Sequence, residues 1–277
     1  MINLINGDCL VESDKIESGS VDLILTDLPY GNIKGLNAES IKKDNNKGYV
    51  VGGGYKVNKD WDNVIDTDKI MKIANRILRK NGKMILFAQQ PFTTELINKQ
   101  TSNVNFSYSM IWEKTDFANC LLINKACVNY YEDILLFSKN HDTEDLHPLR
   151  DYFKRVFKFI NINKKIIIEK VGQKVDHCFR FNSMQFDLCT ESTYNELITK
   201  FKINNMSGFK EYYNLKKENE KLESTFNLWE GNKYKSNILK YKKDYNGFHP
   251  TQKPILLLED LIKTFSNEND LVVDLTM

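Results

Sequence analysis

No stretch of the 277-residue chain approaches the ~18 consecutive apolar residues that a membrane-spanning helix needs. Its opening, Met1-Ile2-Asn3, runs into strand-like sequence without the basic, apolar, small-residue pattern of a signal peptide, so a cytoplasmic protein is expected. The five cysteines, at positions 9, 120, 127, 178 and 189, include no Cys-x-x-Cys pair, and their odd number fits reduced thiols. Four scattered histidines form no His-Glu-x-x-His, so no metal site is expected. Internal repeats and long low-complexity tracts are missing as well.

A formal net charge of +2 says nothing about a polyanionic partner, but the charge is unevenly placed. Met1 to Asn32 holds six acids against Lys15 alone, whereas Arg150 to Phe181 holds nine Lys/Arg against three acids. Lys233 to Lys253 adds six lysines against Asp244. Such runs are as consistent with solvated faces as with phosphate contacts. The aromatics interleaved with the middle run, among them Tyr152, Phe153 and Phe179, require part of it to pack.

With 41% hydrophobic residues the chain can bury one substantial core and a small satellite. Ile2 to Ile5 and Val21 to Thr26 read as short buried strands. From Thr67, the apolar residues Ile70, Ile73, Ala74, Ile77 and Leu78 mark one face of a helix that should stop at Asn81-Gly82, before a strand from Met84 to Ala88. Strand, helix, strand implies a doubly wound α/β sheet that binds ligands beyond the carboxyl ends of its strands. Phe106 to Trp112 and Asp133 to Phe137 read as an antiparallel pair at the sheet edge. Residues 150–245 turn helical and charged, which predicts an insertion between a core of residues 1–149 and a return over 246–277. The return consists of a helix from Pro254 to Phe265 and a strand from Leu271 to Leu275.

The most informative stretch is Asp22-Leu23-Ile24-Leu25-Thr26-Asp27-Leu28-Pro29-Tyr30-Gly31, a buried strand ending in a carboxylate, a proline and an aromatic ring. A carboxylate there faces the ligand crevice of an open sheet. Taken alone, the four residues Asp27 to Tyr30 read more readily as an ordinary turn.

Asp27-Leu28-Pro29-Tyr30 resembles the [D/N/S]PP[Y/F/W] motif of amino-group DNA methyltransferases. Other segments match that family in order: Asn6-Gly7-Asp8-Cys9, Ile111-Trp112-Glu113-Lys114-Thr115, Tyr131 to Phe137, His249-Pro250-Thr251-Gln252-Lys253-Pro254, and Asp270 to Asp274. Catalytic motif first and cofactor strand last is the permuted order of the β class. The resemblance implies a Rossmann-like S-adenosylmethionine-dependent methyltransferase sheet with an inserted helical target-recognition region. Double-stranded DNA would be the partner and adenine N6, reached by base flipping, the acceptor.

An exocyclic amine is a poor nucleophile, so acceptors must face its hydrogens and hold it in line with the methyl donor. The resemblance gives that task to the Asp27 carboxylate and the Leu28 carbonyl, with Pro29 shaping the loop and Tyr30 stacking on the base. Leu28 departs from the family's usual proline, which removes a fixed φ from this loop. Asp8, Asp27, Thr251, Lys253 and Asp274 are the implied cofactor contacts, with the helix N-terminus at Pro254 favouring an anion. A helix cap for Thr251 and a turn carboxylate for Asp8 remain open readings. Asn32 to Lys59, with Gly48, Gly52, Gly53 and Gly54, is expected to close over substrate; no Gly-Lys-Ser/Thr follows to make it a phosphate loop.

Lys164 to Val171, Gly172, then Gln173 to Phe181 has the spacing of a helix-turn-helix. Gln173, Lys174, His177 and Arg180 would then face base edges, and Arg155, Lys158, Lys164 and Lys165 would suit phosphates. A small helical subdomain that merely carries lysines is the plainer alternative.

Cytosine C5 chemistry would need a cysteine nucleophile, commonly after proline, and no cysteine here follows one. Cytosine N4 remains the nearest alternative, since an initial Asp only favours adenine. Family members continue past the Asp274 strand into a glycine-rich turn, so the resemblance implies a chain truncated at that loop that would bind cofactor weakly. A truncated or split form that only binds DNA is therefore a rival reading, as is a methyltransferase for RNA or protein. Target sequence, homodimer formation and a restriction endonuclease partner are left open.

Overall fold

The computed structural model describes residues 2–30, 64–118, 124–141, 147–183, 185–229, 231, 233–244 and 252–276. Its centre is a six-stranded mixed sheet in the order β5-β3-β4-β2-β1-β6. The strands are β1 (Val21–Thr26), β2 (Leu78–Ala88), β3 (Val104–Ala118), β4 (Asn129–Lys139), β5 (Ile238–Lys240) and β6 (Val272–Val273). β1 runs parallel to β2 on one side and β6 on the other, so three carboxyl ends share one edge. β4 is antiparallel to both β2 and β3.

Period-two alternation sends the strand residues to two buried layers. One face carries Ile24, Met84 and Leu86 beneath α2 (Thr67–Ile77) and α3 (Phe92–Asn98). The other carries Leu23, Leu25, Ile85, Phe87 and Trp112 beneath α8 (Ile255–Phe265), through Leu257, Leu261 and Phe265. Each of these fully covered side chains is worth about 1.5–3 kcal/mol of transfer free energy. Among the described residues, no helix is long and apolar enough to cross a membrane.

The α/β class and the antiparallel pair are observed, and several local expectations are corrected. Ile2 to Ile5 is not a strand: it makes no sheet pairing among the described residues, and Ile2 and Leu4 are exposed. The helix expected to reach Asn81-Gly82 ends at Ile77, because Leu78 takes extended backbone and starts β2. Asn81, at φ 63°, and Gly82 instead sit inside β2 where the β1 register shifts. A Cβ on Gly82 would lie 3.0 Å from the Arg79 carbonyl and 3.1 Å from that of Val21, so this close approach favours glycine. The β3–β4 pair is not the sheet edge, since β5 adds to β3 in parallel.

A third core belongs to the helices α4 (Pro148–Ile160), α5 (Lys164–Val171), α6 (Glu191–Phe201) and α7 (Tyr212–Glu220). Tyr152, Phe153, Val156, Ile167, Tyr194, Leu197 and Leu215 meet there. The helical region does not run to residue 245 as expected, because β5 and the segment before it return to the sheet. Arg79 donates to the Glu223 carbonyl at 3.0 Å, and Trp229, Lys235 and Tyr241 all donate to the buried Asp260 carboxylate on α8.

The helix-turn-helix is also corrected. α5 forms, and Gly172 ends it at φ 102°, but the second helix is replaced by two short 3-10 turns, Gln173–Val175 and His177–Phe179. Val175, Cys178 and Phe179, at i, i+3 and i+4, all turn inward as the helical spacing implied, but they do so from two tight turns and not from one α-helix.

Candidate active site

Asp27 occupies the point where the parallel strands end. Leu23 and Leu25 face α8, so the same alternation brings Asp27 to the α8 side as β1 runs out. Lys253, two residues before α8, reaches across with its Nζ 2.5 Å from Asp27 Oδ2. The Tyr30 hydroxyl donates to the other oxygen, Oδ1, at 3.0 Å. Leu28 is 2% exposed and packs into the α2–α3 layer, so side-chain burial anchors the loop where the proline ring is missing. Phe92 lies 5.4 Å from the Tyr30 ring, centroid to centroid, and supports it from α3.

Behind this pair stands a second one that sequence reasoning left without a role. Glu132 on β4 accepts from Lys114 Nζ at 2.5 Å through Oε1, and its Oε2 lies 3.3 Å from Lys253 Nζ. Four charges thus alternate as Asp27, Lys253, Glu132, Lys114, against the rings of Phe87 and Trp112. The signal was present in the strand pattern. Lys114 follows Met110 and Trp112 at period two, and Glu132 precedes Ile134 and Leu136, so each charge falls on an inward face.

The electrostatics follow from burial in low dielectric. Desolvation pushes the Asp27 carboxyl above its usual value; Lys253 opposes this and Glu132 adds to it. Burial also drives the Tyr30 hydroxyl far up, with Asp27 adding to the effect, so the ring keeps its proton and donates it. Lys114 is pulled below the usual lysine value by desolvation, which Glu132 counters.

Asp274 follows β6, next to the end of β1. Its Oδ1 accepts from Thr26 Oγ1 at 2.7 Å and from the Thr276 amide at 3.0 Å, and the Thr276 hydroxyl donates to the Asp27 carbonyl at 3.0 Å. This lacing ties the ends of β1 and β6 together while leaving Asp274 exposed. Asp8 caps α1 (Cys9–Glu12), accepting from the Leu10 amide at 2.9 Å. The anion at the start of α8 is internal: Asp244 Oδ2 accepts the Ile255 amide at 2.8 Å. One of the amides expected to favour an anion there thus already has an anionic partner. Thr251 and the Asn32 to Lys59 segment lie outside the described residues.

In the helical region Arg155, Lys158, Lys165, Gln173, Lys174 and His177 are exposed. Lys164 and Arg180 are instead tied to Asp176, at 2.6 Å each. The Lys164 hydrogen bond, helped by Arg180, holds the Asp176 carboxyl below its usual value. Both exposed and paired cations thus occur along α4, α5 and the turns that follow.

Residues 21–277 match the model of the N6/N4 family described as DNA methylase. No curated protein matches the chain. Among solved structures, a complex of M1.HpyAVI with SAM is 16% identical at a TM-score of 0.48, over 99% of this chain and 82% of that one. The PvuII DNA methyltransferase (cytosine-N4-specific) is 13% identical at 0.45, over 97% and 71% respectively. A putative DNA modification methylase of Thermus thermophilus, complexed with S-adenosyl-L-methionine, is 12% identical at 0.31, over 70% and 73%.

Proposed function

Because the chain belongs to the DNA methylase family, we propose that it transfers a methyl group from S-adenosylmethionine to adenine N6 in duplex DNA, on a base turned out of the helix. The observation that carries the reading is the Asp27 carboxylate, held at the carboxyl end of a central strand between a lysine and a tyrosine.

A carboxylate offers acceptor sites and no donor while it is ionised, which is what the hydrogens of an amino group need. With the Leu28 carbonyl as the second acceptor, two hydrogen bonds favour a pyramidal nitrogen whose lone pair is free to react. The raised proton affinity of Asp27 also suits it to take the proton that the nitrogen sheds once methylated. Tyr30, braced by Phe92, offers a ring face on which a base can stack. The initial Asp favours adenine over cytosine N4 in the resemblance, and the order of Asp27 before Lys253 before Asp274 supports the permuted class.

S-adenosylmethionine, when bound, supplies a methyl group on a positive sulfur that serves as its own leaving group. The donor set fits such a cation: the Asp27 and Asp274 carboxylates lie at the ends of adjacent strands, with Lys253 beside Asp27 for a carboxylate. Asp8 and Thr251 belong to the same proposed set. For DNA, the exposed Arg155, Lys158 and Lys165 suit phosphates, and Gln173, Lys174 and His177 suit base edges or phosphates. Lys164 and Arg180 join them only by sharing their protons with Asp176.

The test is transfer of an isotopically labelled methyl group to duplex DNA, RNA and protein side by side. Label in DNA alone is expected; label in RNA or protein alone contradicts the reading.

A further inference from the structure

Glu132 is the least explained residue of the charge chain. It is 8% exposed, and among the described residues Oε2 has no hydrogen bond, although Lys253 Nζ is 3.3 Å away, close enough to attract but not aligned to donate. An unmet buried carboxylate oxygen is costly, and folded proteins seldom keep one without use. Lys253 meanwhile is committed to Asp27 at 2.5 Å, on the very carboxylate that must accept the target amine.

Resting on the methyl-transfer reading, we propose that Glu132 is a positioning residue that serves as the alternate anchor of Lys253, letting the lysine pivot off Asp27 when the target amine arrives. The geometry makes the pivot short. A lysine ammonium has three donors on a flexible stem, and here it sits between two carboxylates with Phe87 5.0 Å and Tyr30 5.9 Å away as walls. Moving toward Glu132 satisfies the orphan oxygen and frees an acceptor lobe on Asp27, so one interaction replaces another and the two states stay close in free energy. Lys114, held on Oε1, fixes Glu132 in place.

Two variants read this out. Glu132→Gln keeps the shape but removes the second anchor, so kcat should fall on the order of 10²-fold with little change in KM for DNA. The acid limb of its rate profile should move to lower pH, since Asp27 is faced by Lys253 from the approach to α8, by Tyr30 from its own loop and by Glu132 from β4, with Asp133 and Lys114 farther out. Glu132→Gln/Lys114→Met removes the stranded lysine as well, which protects the fold, and should stay equally slow. Wild-type turnover in either folded variant overturns the proposal. A crystal structure of Asp27→Asn gives an answer that needs no turnover. Lys253 should move into hydrogen-bonding distance of Glu132 Oε2, and an ammonium that stays at position 27 overturns the proposal. If wild-type protein methylates nothing yet Lys253 moves, the functional reading fails and the alternate anchor stands.

Discussion

The ammonium of Lys253 lies 2.5 Å from the carboxylate of Asp27, a residue 226 positions earlier in the chain. This contact joins the first strand of the sheet to the start of its last helix. It also places a positive charge beside a group whose ionised form burial disfavours. The site therefore exists only once both ends of the sequence have folded onto one sheet.

Asp27→Ala should abolish methyl transfer, on the order of 10²-fold or more in rate, while DNA affinity is largely kept. The substitution removes an acceptor for the amine and no phosphate contact. Single-turnover transfer alongside a binding titration checks both halves, and near-normal turnover would remove Asp27 from the mechanism.

Activity and stability should respond to acid in opposite senses at Asp27. Its pKa is raised in the fold, so the ionised acceptor is lost, and the rate falls, at a pH above the usual carboxylate range. The same raised value means that its contribution to stability is fully present below the unfolded pKa and is lost as pH rises through the folded one. Asp27→Asn should therefore be slower but no less stable near neutrality. A rate profile paired with denaturation midpoints tests this, and a destabilised variant with an unshifted acid limb would contradict it.

Tyr30→Ala should weaken both base capture and rate, by up to ~3 kcal/mol of lost stacking. Tyr30→Phe keeps the ring against Phe92 and loses only the 3.0 Å bond to Asp27, so its defect should be much smaller. Fluorescence of 2-aminopurine at the target position reports base capture directly. Equal defects in the two variants would assign the role to the hydroxyl instead.

Much of this architecture was legible because period and position agree. Val21 to Thr26 is buried almost throughout, as its apolar run implied, and Asp27 ends it. The stripe of Ile70, Ile73, Ala74 and Ile77 became the buried face of α2. Failures arose where local pattern met tertiary demand. Ile2 to Ile5 has strand composition but joins no strand among the described residues, and Ile2 and Leu4 stay exposed. Gln173 to Phe181 has helical spacing, and Val175, Cys178 and Phe179 do face the core as that spacing implied, but after Gly172 the backbone forms two short 3-10 turns in place of a second helix. Glu132 and Lys114 were visible only as charges at inward positions of two strands, a cue that gains meaning once the strands are known to be neighbours.

The helical surface gives its own test. Lys158→Ala and Lys165→Ala should weaken binding to every sequence and lower the salt slope by about one each. Gln173→Ala should relax preference at one base pair by about 1–3 kcal/mol. Asp176→Ala should release Lys164 and Arg180 and steepen the salt dependence. Uniform loss across sequences in the Gln173 variant would make this surface an electrostatic clamp without base readout.

The most direct measurement of the central claim is modified-base sequencing of DNA from cells that express this chain, with Asp27→Ala as the control. The account predicts N6-methyladenine in a fixed sequence context, absent from the control. N4-methylcytosine in its place, or marks that persist with Asp27→Ala, would contradict it.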